Sequence, residues 1–85
     1  MYGLRWRKSV SLALLDRCAR ADQTLRDAIL DAMAQIESAL RNDPEFVGES
    51  RDAGKRLLIV GPLSVTYRID PRRRLVYIVG ATVHR

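Results

Sequence analysis

Three groups of side chains in this sequence can bind negative charge or move a proton. Lys55 and Arg56 stand together ahead of the apolar run LLIV, with Arg51 just upstream in GESR. Arg68 lies inside LSVTYRID, and Arg72, Arg73 and Arg74 follow it. His84 and Arg85 come after the last apolar run. Guanidinium and ammonium groups clustered this way suit a polyanion or an acidic protein segment, and an imidazole changes charge near neutrality. A solvated basic rim is the equally consistent alternative. The distribution says more than the total of +5: residues 1–50 hold seven Lys/Arg against eight Asp/Glu, a net −1. Residues 51–85 hold eight Lys/Arg against Asp52 and Asp70, a net +6.

Other chemistries are excluded by composition. Cys18 is the sole cysteine and His84 the sole histidine, which rules out an internal disulfide framework and a Cys/His metal cluster. No metal and no cofactor are expected. Met1 to Arg20 is interrupted by Arg5, Arg7, Lys8, Asp16 and Arg17, so it does not read as a signal peptide. No apolar run approaches the ~20 residues of a membrane span. The expectation is one soluble cytoplasmic domain over residues 1–85, with a small core and a modest stability margin.

The elements that must position these residues follow from periodicity. YGLRWRK at 2–8 alternates, with Tyr2, Leu4 and Trp6 on one side, and reads as a strand with one buried face. A helix to about Ala21 follows, capped by Ser9 or Ser11, with Val10, Leu14, Leu15 and Cys18 on its apolar side. Asp22 is the expected N-cap of a second helix, whose stripe is Leu25, Ile29, Met33 (with Ala32), Ile36 and Leu40. Asn42-Asp43-Pro44 ends it, because proline disfavours helical geometry in the residue before it. Residues 44–53 read as a polar loop with Phe46 and Val47 tucked beneath, and Glu49 pairs with Arg51 or another basic neighbour. Three strands remain: 56–60, a Gly61-Pro62 turn, 63–70, an Asp70–Arg74 hairpin loop, and 75–83.

The fold class is therefore α+β in the order β-α-α-β-β-β, with a helical hairpin on one face of a small antiparallel sheet. Leu63, Val65, Tyr67 and Ile69 belong to the core, and Ser64, Thr66 and Arg68 face away from the helices. Trp6, Tyr67 and Tyr77 are expected in core or cross-strand packing rather than as base-stacking platforms.

The helix pair, the Asp43-Pro44 break, GESR at 48–51, the basic pair, PLSVTYRID and the final strand ending VHR together resemble the RelE/ParE superfamily. These are small toxins of bacterial type II toxin–antitoxin systems. The resemblance spans essentially the whole chain and rests on order, length and charge distribution rather than on one motif. It implies a concave sheet surface, used by RelE-like members to cleave mRNA in the ribosomal A site, whereas ParE-like members poison DNA gyrase. It also implies neutralisation by a cognate antitoxin, which would give a toxin–antitoxin hetero-oligomer. Separately from the resemblance, apolar residues of the helix pair not used by the sheet leave a homo-oligomer open.

By the same resemblance, Lys55 and Arg56 fall at a catalytic lysine position, and His84 or Arg85 takes the C-terminal basic role. Arg51, Arg68, Arg72, Arg73 and Arg74 become candidate contacts to antitoxin or nucleic acid. The strand arginine of RNA-cleaving members falls on Ser64, and a neutral hydroxyl cannot clamp a phosphate. Ribosome-dependent nuclease activity is therefore not expected. The alternative is a catalytically degenerate protein-binding module of the same fold.

Overall fold

A computed structural model describes residues 1–84. The chain runs β1 (Gly3–Trp6), α1 (Lys8–Arg20), α2 (Gln23–Asn42), α3 (Pro44–Val47), β2 (Glu49–Ser50), a 3₁₀ turn (Asp52–Gly54), β3 (Arg56–Val60), β4 (Leu63–Asp70) and β5 (Leu75–Val83). The strands form one five-stranded sheet in the order β1-β5-β4-β3-β2.

The β3-β4-β5 meander is antiparallel, as the short Gly61-Pro62 and Asp70–Arg74 connections demand. The sheet as a whole is mixed, not antiparallel throughout. β1 lies parallel to β5, with Gly3 opposite Leu75 and Trp6 opposite Ile78. The helix pair carries the chain off the sheet between these strands, and a long crossover of this kind permits parallel pairing. The short β2 adds the opposite edge, pairing Ser50 with Arg56.

A register shift between Thr66 and Tyr67 leaves Val79 as an extra residue of β5. The bulge matters for packing. Val76 and Ile78 lie in the core before it, and Ala81 and Val83 pack against the core after it. An uninterrupted alternation would turn one of these pairs outward.

α2 behaves as its stripe predicts. Asp22 caps it by accepting 2.8 Å from the Leu25 amide, and Ile29, Ala32, Ile36 and Leu40 are buried against Leu63, Val65, Tyr67, Val76 and Ile78. The cap of α1 differs from expectation. Arg7 donates its amide to Ile78 O in the sheet while its own carbonyl receives the amides of Val10 and Ser11. The strand therefore runs straight into the helix, and neither Ser9 nor Ser11 is left to cap it.

Residues 44–47 also differ from the expected loop. Pro44 opens a helical turn that turns Pro44 and Val47 inward, so Phe46 points out and is 81% exposed. No helix among the described residues is long and apolar enough to cross a membrane.

Candidate functional site

The sheet face away from the helices follows the alternation of β4, matched on β5 across the bulge at Val79. β4 contributes Ser64, Thr66 and Arg68; their register partners are Thr82, Gly80 and Tyr77 on β5. Arg5 of β1 is in turn opposite Tyr77. One row across the sheet therefore reads Arg5, Tyr77, Arg68. Both arginines are exposed, and Tyr77 is half-buried and outside the core.

Arg68 also shapes the adjoining loop. Its Nη1 donates 2.8 Å to Ala53 O, and Ala53 and Gly54 both have positive φ, 60° and 72°. Glycine takes that conformation freely and alanine does not, so the guanidinium contact holds a tight turn in place. Lys55 leaves this turn half-buried, its carbonyl receiving the Arg51 amide at 2.7 Å, and its ammonium has no hydrogen-bond or ion-pair partner among the described residues. Lys55 and Arg68 thus flank one turn at the β4 end of the basic row.

Arg56 points the other way. Its guanidinium donates to Ser50 Oγ at 2.9 Å, Glu45 O at 2.9 Å and Gly48 O at 2.5 Å, pinning the α3–β2 segment on the helix side of the sheet. Its Nε is buried without a partner. A guanidinium engaged in this way is a structural tie on the helix side, so Arg56, expected at the catalytic position beside Lys55, is turned away from the basic row.

The remaining arginines divide as well. Arg51 pairs with Glu49 at 3.1 Å. Arg73 lies 3.9 Å from Asp70, whose carboxylate also accepts the Arg73 amide. Arg74, at φ 53°, stacks over the Tyr2 ring at 4.5 Å. Tyr2 in turn donates its hydroxyl to Glu45. Within the triplet only Arg72 stands exposed without such a contact among the described residues.

His84 sits at the far end of β4. Its Nε2 is 2.9 Å from Ser64 Oγ, and its amide donates 2.6 Å to Pro62 O. Ser64 and Arg68 are separated by four strand steps, roughly 13 Å at ~3.3 Å per residue. Lys55 and His84 therefore belong to opposite ends of the face, and one phosphate cannot lie between them in hydrogen-bond contact with both. Arg85 lies outside the described residues.

A second feature lies on the helices. Trp6, Leu14, Leu15, Cys18, Leu30 and Met33 line an apolar groove of about 290 Å³ between α1 and α2. Leu15 and Leu30 are exposed along it.

The same architecture recurs in solved structures. The chain matches the RelBE2 toxin–antitoxin complex of Mycobacterium tuberculosis with a TM-score of 0.63 at 22% identity, over 99% of this chain and 98% of that one. It matches the intact RelBE complex of E. coli with a TM-score of 0.68 at 10% identity, over 100% and 99%. The archaeal RelE–RelB complex of Pyrococcus horikoshii gives 0.59 at 12%, over 96% and 93%. The chain has the RelE-toxin fold. No family model matches the sequence, and no curated protein matches it.

Within this RelE fold, two residues of the basic row escape a sequence reading. Arg5 was legible as the polar side of YGLRWRK, but nothing local to it shows that β1 docks beside β5. Tyr77 sits in the continuous run LVYIV, where a core position and a cross-strand position look alike; the register makes it a cross-strand neighbour of two arginines. Together these groups place an aromatic ring between two arginines, with Lys55, unpaired among the described residues, beside the turn that Arg68 holds. Such an arrangement is chemically suited to an anionic chain, and Lys55 and His84 are too far apart to act as base and acid on one bond.

Proposed function

We propose that the chain is the toxin-like component of a bacterial type II toxin–antitoxin system, acting in the cytoplasm and neutralised by a cognate antitoxin. The whole-chain likeness to toxins solved in RelBE complexes carries this reading. The open basic face, with Lys55, Arg68, Tyr77 and Arg5, is its contact with the target, in translation or at DNA gyrase. His84 contributes a further polar contact at the other end, and Arg72 and Arg51 are rim charges. The apolar helix groove supports a protein partner as well.

Induced expression in bacteria tests the proposal. Growth arrest that a co-expressed neighbouring small protein relieves is the expected result. Cleavage of ribosome-bound mRNA and inhibition of gyrase supercoiling, assayed side by side, then separate the two targets. A second reading is favoured by one observation: Lys55 and His84 stand at opposite ends of β4, and Ser64 supplies no charge between them. In that reading the chain is a degenerate module that binds an antitoxin-like partner without toxicity, and expression leaves growth unchanged.

A further inference from the structure

Ser64 is 8% exposed, a buried polar side chain in a strand whose neighbours Leu63 and Val65 belong to the core. A buried hydroxyl needs an acceptor for its proton, and leaving it without one costs about 1–3 kcal/mol. Among the described residues the only hydrogen-bond partner of Ser64 Oγ is Nε2 of His84, 2.9 Å away. The backbone that carries the ring is held separately, since the His84 amide donates to Pro62 O in the β3–β4 turn.

A neutral imidazole has one N–H and one lone pair. If Ser64 donates to the lone pair of Nε2, the ring proton must be on Nδ1. When the ring is protonated, Nε2–H donates to Oγ instead, and Nδ1–H is unchanged. His84 shares its notch with Asp22, Thr24, Leu25, Ala28, Gly61 and Pro62. Asp22 is the one titratable group among them, and its Oδ1 already accepts the Leu25 amide at 2.8 Å.

We infer that Ser64 is a positioning residue for His84: it holds the neutral ring as the Nδ1–H tautomer, so that His84 presents a hydrogen-bond donor at Nδ1 in both protonation states. The ligand suited to such a donor is an acceptor oxygen of phosphate type. This rests on the proposed role of His84 as a target contact, but its test does not.

His84 is the only histidine, so its ring nitrogens are assigned without ambiguity. Long-range proton–nitrogen NMR on the labelled chain, at a pH where the ring is neutral, should show a protonated Nδ1 and a bare Nε2. Ser64→Ala should lose that pattern and move toward the Nε2–H form, and Ser64→Thr should restore it. Titration with inorganic phosphate at the same pH should shift Nδ1 in the wild type and not in Ser64→Ala. A wild-type ring protonated at Nε2 overturns the inference with no variant needed, as does a Ser64→Ala spectrum identical to wild type. Absence of growth arrest would instead sink the toxin reading and leave the tautomer result standing.

Discussion

Arg56 and Tyr67 are register partners across β3 and β4, and both direct their polar atoms at one segment. Arg56 takes the carbonyls of Glu45 and Gly48, and the Tyr67 hydroxyl donates 2.7 Å to Pro44 O. A cross-strand pair on the core side thus anchors the entire turn between α2 and the sheet. That turn leads directly to Lys55, so the anchor also sets the lip of the basic face.

Tyr67→Phe should destabilise the fold by about 1–2 kcal/mol, because the buried Pro44 carbonyl loses its donor. Urea unfolding checks this as a lower midpoint at an unchanged slope. Gly48→Ala should cost about 1–3 kcal/mol, since a Cβ there would overlap the Tyr67 hydroxyl and come within 3.0 Å of Leu57 O. The double variant should lose less than the sum, because removing the hydroxyl removes the overlap.

Lys55 and Arg56 should separate cleanly although they are adjacent. Arg56→Ala is expected to lower stability by about 2 kcal/mol through loss of its charged hydrogen bonds. Lys55→Ala should stay within about 0.5 kcal/mol of wild type and still weaken growth arrest at equal expression. Thermal melts paired with growth curves decide between the two effects.

Arg5→Glu tests the row across the sheet. Its side chain is exposed, so melting should be nearly unaffected, while growth arrest should fall about as it does for Lys55→Ala. Arg72→Glu, on the hairpin loop, should weaken arrest less. Equal effects at both sites would mean that overall charge, not the row, engages the target.

Alkaline pH should weaken the fold through Tyr2. The hydrogen bond to Glu45 raises its pKa above the ordinary 10.0, burial and the Glu45 charge push the same way, and Arg74 opposes them. A raised pKa means the folded state holds the proton more tightly. The stabilisation is therefore complete below about pH 10 and is lost as pH rises through the folded value. Tyr2→Phe should flatten the stability profile above pH 10 when unfolding is followed in urea.

Most of the fold was legible because its signals are local. The α2 stripe with its Asp22 cap, the Pro44 stop and the alternation of 63–69 each depend on neighbours a few residues apart. The errors came where distant partners decide. Ser9 lost its cap role to a sheet bond between Arg7 and Ile78, and Phe46 was turned out by a helical turn that Pro44 begins. The site was less legible for the same reason. Arg56 looks identical to Lys55 in sequence, and only the register turns one toward the helices. Arg5 joined the basic row through a pairing with residues more than seventy positions away.

That pairing has a consequence for how the molecule is made. Gly3 cannot find Leu75 until β5 has been synthesised, and non-local contacts of this kind slow folding. During translation β1 waits without a partner, while α1 and α2 can form locally. The row Arg5, Tyr77, Arg68 therefore cannot exist before β5 has been made. A nascent chain has no basic row to present, and whatever activity the row carries switches on only when β5 closes the sheet.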